Sequence, residues 1–571
     1  MSSVLNTKIA NMLYEIADLL ELKGVQFKPR AYRRAAQNIN NSSEDITSFY
    51  ENDRLQEIEG VGESIASKIK EIIETGSLEY LEDLRKEFPK GLQELMDIQG
   101  LGPKSLMKLY KELDIKTIDQ LEEAAKNQKI REIEGFGKKS EENILKNIKM
   151  YKKFQERFLL GDILPLAENI EKKLSNLKEV KRINLAGSIR RKKETIGDVD
   201  ILIISPKPDK VMDFFTELEE VKRVVSKGHT RSTVITVKNL QIDLRVVEKE
   251  SYGSALQYFT GSKEHNIKLR SIALKKNWKL SEYGLIDKDS TETIASENEA
   301  DIYKALGLDY IEPELREDRG EIEAAQEGKL PTLIKLEDIK GDLHMHTKWS
   351  EGSHTIEEMA QAAKQKGYEY IAICDHAETL QIASGLSSEE IGKQMKEIDE
   401  INKKIDDITI LSGIEANIDA EGKLDVKNNI LKDLDIVVAS IHSGFKKSEE
   451  EMTNRILNAM HNDYVNILGH PTGRMLNKRE PYEVNLSKIF EAAADLGIFL
   501  ELNSFPDRLD LNDVNCRTAK DYDILISINT DSHHKDHLRY MKYGVATARR
   551  GWLEKKDVAN TLILKELKKL L

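Results

Sequence analysis

From residue 368 to the C-terminus, short apolar runs alternate with helix-length segments: YIAICDH, ITILSGIE, LDIVVASIHSG, VNILGHP, IFLELNS, ILISINTDSHH and KYGVATA. Strands separated by helical stretches pair in parallel, because a parallel connection needs a crossover, and the crossovers cover both faces of the sheet. The pattern predicts a barrel-like parallel sheet over residues 340–571. Ligand-type side chains close most of these runs: His376 in CDH, Glu415 in GIE, His442 in SIHSG, His470 in GHP, and Asp531 and His533 in NTDSHH. Upstream, DLHMHTKWSEG places His344 and His346 at i and i+2, on one face of a strand. Composition sharpens the point, since only His229 and His265 of the twelve histidines precede residue 344. One such histidine is usually structural. A set at successive strand C-termini, where β/α barrels keep their active sites, predicts a metal centre.

A second site is announced by GDVDILII at 197–204. Asp198 and Asp200 lie at i and i+2 at the head of an apolar strand, so both carboxylates share one face. Like charges so close repel unless a cation lies between them. Just upstream, AGSIRRKKETIGDVD offers a Gly187-Ser188 turn followed by Arg190, Arg191, Lys192 and Lys193, a receptacle for a polyphosphate. Downstream, NLQIDLRVV carries Asp243 on a strand that can pair beside the first. Three carboxylates beside a phosphate receptacle are what two-metal phosphoryl transfer requires. With RINLAGS and STVITV as further strands, residues 151–252 read as an α/β palm.

Residues 1–150 carry few strand signals and repeat one motif: IEGVGESIA at 58, IQGLGPKSL at 98 and IEGFGKKSE at 133. In each, Gly-x-Gly (Gly60 and Gly62, Gly100 and Gly102, Gly135 and Gly137) opens a helix whose N-terminal amides can hold a phosphate. Three in succession resemble helix-hairpin-helix motifs, which grip the DNA backbone without reading sequence.

At 571 residues the chain needs several cores. The expected segments are a helical domain at 1–80, a second at 81–150, the palm at 151–252, a mixed helix-and-turn segment at 253–315, a charged linker at 316–339, and the barrel at 340–571. The net charge of −13 argues against bulk electrostatic coating of nucleic acid, so DNA would be held by local basic patches and backbone amides. Cys374 and Cys516 make no thiolate-metal or disulfide pattern, and no apolar run approaches a membrane span. The expectation is a cytoplasmic monomer that does not engage membranes.

The GS turn, GDVD and a third aspartate resemble the nucleotidyltransferase superfamily, and YFTGSKEHNIKLR at 258 resembles the thumb signature of family X DNA polymerases, the group that includes DNA polymerase beta. The resemblance implies Asp198, Asp200 and Asp243 as catalytic Mg²⁺ ligands. It implies Gly187, Ser188, Arg191 and Gly197 at the triphosphate, Tyr258, Phe259 and Gly261 at the sugar, and Asn266 and Arg270 at the incoming dNTP and the template side. FKPRAYRRAA followed by GVGESIASKI is similar to the family's lyase domain. There Lys28 and Tyr32 match a 5′-phosphate pocket and Lys68 the Schiff-base nucleophile, while Ser64 replaces a basic residue of that pocket.

The C-terminal pattern resembles the PHP (polymerase and histidinol phosphatase) family, a distorted seven-stranded barrel that binds up to three metals, here Mn²⁺ or Zn²⁺. It implies His344, His346, Glu351, His376, Glu415, His442, His470, Asp531 and His533 as ligands and phosphoester hydrolysis as the chemistry. Glu351 stands where the family usually has Asp. Together the resemblances imply a gap-filling polymerase of base excision repair acting on gapped or nicked DNA, with a 3′–5′ exonuclease and, as further implications, AP endonuclease or 3′-phosphatase activity. Two rivals are a template-independent nucleotidyltransferase bearing a PHP phosphoesterase, and a barrel that only docks a repair partner.

Overall fold

The computed structural model describes residues 2–571 except 26, 42–45, 59, 89–91, 93–94, 96–97, 99–100, 156 and 378–384, and divides the chain into two compact units. The first comprises 1–157, 236–239 and 249–306, and the second comprises 158–235, 240–248 and 307–571.

In the first unit, helices including Ser2–Leu22, Lys28–Asn41, Glu63–Thr75, Pro103–Leu113, Ile118–Lys126 and Lys138–Gln155 share one apolar cluster, with Leu13, Ile39, Ile69, Leu106 and Ile148 fully buried. The Gly-x-Gly turns do what their composition predicts. Gly62 and Gly102 cap the helices that follow, and Gly60 takes a φ of 91°, a conformation that side chains disfavour. Gly135 is likewise left-handed, and Gly100 lies outside the described residues. The thumb helices Tyr252–Thr260, Lys263–Lys275 and Glu299–Leu306 belong to this unit, together with a small antiparallel sheet of Trp278–Ser281, Gly284–Asp287 and Thr293–Ala295. That sheet replaces part of the expected helix and turn. Strands of three or four residues are too short to show an alternation.

The second unit holds the palm sheet, the barrel and a short antiparallel pairing of Phe158–Leu159 with Thr195–Ile196. The palm sheet runs in the order Arg182–Ala186, Asp198–Ile204, Gln241–Val246, Arg231–Thr236, Val221–Lys227. The barrel has seven parallel strands in sequence order: Gly341–Met345, Tyr370–Ile373, Thr409–Asn417, Ile436–Ser440, Ile467–Leu468, Phe499–Asn503 and Ile526–Asn529. Its ends approach closure through a bridge between Met345 and Ser532, where the His346 amide donates to the Ser532 carbonyl at 2.9 Å. Leu343, Ala372, Leu411, Val438, Ile467 and Phe499 fill the interior.

Two expectations are corrected here. KYGVATA is not a strand: Met541–Arg550 is a helix. Met541, Tyr543, Val545, Ala546 and Ala548 are all buried, only Lys542 and Arg549 being partly exposed, so the polar face is narrow and the run of small apolar residues mimics a buried strand. Residues 316–339 are not a loose linker. Arg316 is fully buried and donates to the Ile311 carbonyl at 2.9 Å, and Glu321, also buried, accepts from the amides of Asp318 and Arg319. The charges that suggested solvent exposure are satisfied internally. No helix among the described residues is long and apolar enough to cross a membrane.

Candidate active sites

The palm carboxylates are brought together by strand register. Asp200 pairs directly with Asp243 across the parallel strands, and Asp198 lies two residues before Asp200, so all three share one face. Asp243 is buried and fixed by Thr233 Oγ1 at 2.5 Å, Gln241 Nε2 at 2.8 Å and Arg231 Nη2 at 3.2 Å. Burial, and then the charges of Asp198 and Asp243, push the Asp200 carboxyl up to about 7. A carboxylate cluster that repels itself in this way fits divalent cations.

Beside it, Gly187 adopts a φ of 67° and opens the single helical turn Gly187–Arg190 that carries Ser188. Gly197 immediately precedes the strand that bears Asp198. Arg191 is buried, and its Nε donates to Glu317 Oε1 at 2.9 Å.

The remaining polymerase candidates lie in the first unit. Tyr258 and Phe259 pack edge to face with centroids 5.2 Å apart. Asn266 donates to the Tyr258 carbonyl at 2.7 Å and accepts from Gln257 at 2.6 Å, so it fastens the end of the helix bearing the aromatic pair. Gly261 caps that helix with φ 70°, and Arg270 lies one turn beyond Asn266 on the next. In the lyase-like pocket Lys68 Nζ sits 4.8 Å from the centre of the Tyr80 ring and 3.3 Å from both Ser64 oxygens. Burial, and then the charge of Lys28, lower its pKa, which favours the free amine. Tyr32 is buried nearby, its hydroxyl pushed up to about 12 by burial and Tyr80.

The barrel gathers its candidates into overlapping groups: His346 with His376 and His533, His344 with His346 and Asp531, and His376 with Glu415 and His442. Within each group the ligand atoms lie within 4.8 Å of one another. His470 joins through Glu415 at 3.1 Å, and Glu351 bridges His376 at 2.9 Å and His533 at 3.0 Å. The longer arm of glutamate therefore still reaches the cluster. Burial works against charge on His376, yet Glu415 and Glu351 raise it to about 10. Despite burial, His376 and His533 bring Glu351 down to about 2. His346 goes the other way, held near 3 by burial and by the neighbouring His533 and His376. Its Nε2 faces His344 Nε2 at 3.2 Å, while the buried Nδ1 atoms of His346, His442 and His470 have no hydrogen-bond partner. Imidazoles and carboxylates packed this tightly fit metal ions better than they fit one another.

Residues missed in the sequence complete the site. Buried Glu501 accepts from His344 Nδ1 at 2.8 Å and from the His470 amide at 2.7 Å, fixing the tautomer of His344 so that Nε2 faces the cluster. Asn503 donates to Asp531 at 3.0 Å, and Arg508 Nε lies 3.7 Å from the same carboxylate. Asp375 accepts from the Thr347 amide and from Gln394, bracing the loop after the first strand. Glu501 had a signal, a carboxylate in the strand run IFLELNS, placed like the ligands of the other runs.

Comparison with known proteins finds matches to both the palm and the barrel. Family models match for a helix-hairpin-helix domain (residues 4–78), a SAM-like helix-hairpin-helix tandem (92–150), the DNA polymerase beta palm (162–262), the DNA polymerase beta thumb (255–317) and a PHP domain (342–505). The chain is 40% identical to the DNA polymerase/3′-5′ exonuclease PolX of Bacillus subtilis (strain 168) over 566 residues, covering 99% of this chain and 98% of that one. Over 203 residues, 34% of this chain and 78% of the other, it is 35% identical to a probable phosphatase of Thermoanaerobacter sp. (strain X514). It is also 24% identical to DNA polymerase lambda of Rattus norvegicus over 340 residues, 55% of this chain and 56% of that one. A palm with three carboxylates on one face and a parallel barrel gathering nine ligand-type side chains thus stand in one chain matched end to end by PolX, and the chain belongs to the family X DNA polymerases that carry a C-terminal PHP domain.

Proposed function

We propose that the protein is a template-directed, gap-filling DNA polymerase of base excision repair that removes mismatched 3′ ends with its barrel. The observation that carries the reading is the register of Asp200 opposite Asp243, with Asp198 on the same face, in a unit that also holds the barrel cluster.

Asp198, Asp200 and Asp243 would hold Mg²⁺, and the histidine-rich cluster up to three ions of Mn²⁺ or Zn²⁺. Bound cations would supply neutralisation of phosphate charge and a lowered pKa for the attacking group. The rest of the work falls to the chain. The Gly187-Ser188 turn and Arg191 bind the triphosphate of the dNTP. Tyr258, Phe259 and Gly261 test the sugar, and Asn266 and Arg270 orient the incoming nucleotide against the template. The glycine turns at 60–62, 100–102 and 135–137 hold the DNA backbone. Lys68, its amine favoured by burial and by Lys28, attacks the 5′-deoxyribose phosphate left at a gap. In the barrel, Glu501 orients His344, and Arg508 sets a cation beside Asp531 for the scissile phosphate.

The test is one purified sample assayed on a one-nucleotide gap and on a mismatched 3′ end, with Mg²⁺ and Mn²⁺ in turn. Templated extension and removal of the mismatch are expected. Extension that ignores the template base would point to a template-independent transferase.

A further inference from the structure

Arg191 is held at its guanidinium by Glu317 and at its main chain by Arg550 of the barrel. Its guanidinium Nε donates to Glu317 Oε1 at 2.9 Å, and the same oxygen accepts from Arg550 Nη1 at 3.0 Å. Arg550 Nη1 also donates to the Arg191 main-chain carbonyl at 2.8 Å. From the other side of Arg550, Nη2 reaches Asp513 Oδ2 at 2.7 Å, and Arg319 meets that oxygen at 3.0 Å. The network runs from the palm turn through residues 317–319 to two barrel helices, Asp513–Asp521 and Met541–Arg550. It is dry: the side chains of Arg191, Glu317 and Arg550 are 10%, 9% and 4% exposed. None of these partners was expected to serve the polymerase site.

We infer that Glu317 and Arg550 are positioning residues for nucleotide addition, bracing Arg191 in the rotamer that meets the triphosphate, so that the PHP barrel is a structural part of the polymerase's nucleotide site. The inference rests on the reading of Arg191 as a triphosphate ligand. An arginine on a flexible side chain loses conformational freedom each time it captures a phosphate, whereas one already fixed by buried partners does not. The brace therefore belongs in the binding step. Lys193, 3.7 Å from the other Glu317 oxygen, adds a second cation at the turn, consistent with an anion as the ligand.

The experiment is steady-state single-nucleotide gap filling by full-length Glu317→Gln, Arg550→Met, Arg550→Lys and the Glu317→Gln/Arg550→Met pair, with Arg191→Ala as reference. The double variant removes both members of the Glu317–Arg550 pair and leaves Asp513 with Arg319, so it guards against the loss of folding that stranding Arg550 alone could cause. Glu317→Gln and Arg550→Met should raise the KM for dNTP about tenfold with kcat within about threefold, the size of one weakened charge-assisted contact. Arg550→Lys should fall between these and wild type, and exonuclease rates on single strands should stay unchanged. If Arg191→Ala raises KM while the Glu317 and Arg550 variants do not, the brace is refuted and the nucleotide role of Arg191 stands. An unchanged KM in Arg191→Ala would withdraw that role and the inference with it. A fall in KM in Glu317→Gln would make Glu317 a competitor of the triphosphate and overturn the inference. A loss confined to kcat would overturn it too, since only general damage to the fold is then required.

Discussion

Asp198 and Asp243 make their case by position alone, because a carboxylate removed from a three-carboxylate face leaves too little charge to hold the cations. Asp198→Ala or Asp243→Ala should lower nucleotide addition more than about a hundredfold while DNA binding persists, since on the proposed reading the glycine turns of the first unit would carry the backbone contacts. Single-turnover extension beside a binding titration checks this. Lys68 offers a sharper residue-scale test because its amine is depressed by burial and by Lys28. Borohydride should trap a Lys68 adduct with a 5′-deoxyribose phosphate end, and the trapping yield should rise with pH through the depressed amine pKa. Lys28→Ala removes one of the two causes, so the profile should move to higher pH without vanishing. An unmoved profile would leave Lys28 outside the pocket, and trapping that survives Lys68→Ala would name another lysine.

Among elements, the tight turns at Gly60 and Gly352 leave little room for a side chain. A Cβ on Gly60 would lie 3.0 Å from Arg34 Cγ and 3.1 Å from the Ala35 amide, at a φ that disfavours side chains in any case. Gly60→Ala should cost about 1–3 kcal/mol of local strain and weaken binding to gapped DNA. A melting curve and a binding isotherm on the same sample measure both. Gly352 is tighter still: a Cβ there would meet the Thr347 amide at 2.6 Å and the His346 carbonyl at 2.7 Å. Backbone cannot give way as a side-chain tip can, so the neighbouring Glu351 must shift from His376 and His533. Exonuclease activity of Gly352→Ala should fall by about a hundredfold with polymerisation intact, as expected when a reacting group is displaced by an ångström.

At the scale of the molecule, two separate chemistries share one scaffold. His344→Ala with His346→Ala should abolish digestion of a labelled single strand and leave extension of a gapped duplex, because on the proposed reading the palm carboxylates would keep their own cations. Separable chemistry does not make separable folding. Leu509 and Tyr543 from the barrel region lie in the palm's apolar cluster, Arg474 forks onto Glu194 at 3.1 and 2.7 Å, and Tyr543 reaches the Gly161 carbonyl at 3.3 Å. A chain truncated after residue 339 should melt at least about 10 °C below the full protein or lose its cooperative transition in a calorimetric scan. Equal melting would show that the palm does not need the barrel.

The candidate site residues were legible in the order of the chain, because strand ends, Gly-x-Gly turns and an i, i+2 carboxylate pair are local patterns fixed by periods of two and 3.6 residues. GDVD with a third aspartate, the histidines at successive strand ends and the helix-opening glycines all belong to that class. Other features were decided only by contacts far apart in sequence. Glu501 becomes the partner of His344 across 157 residues, and KYGVATA is helical although its packing leaves only Lys542 and, beyond it, Arg549 partly exposed, too narrow a polar face to betray its period. The charged stretch from 316 is interior because Glu317 finds Arg191 and Arg550, 126 and 233 residues away. A side chain's charge tells that it needs a partner, and only the folded chain tells whether that partner is water or another residue.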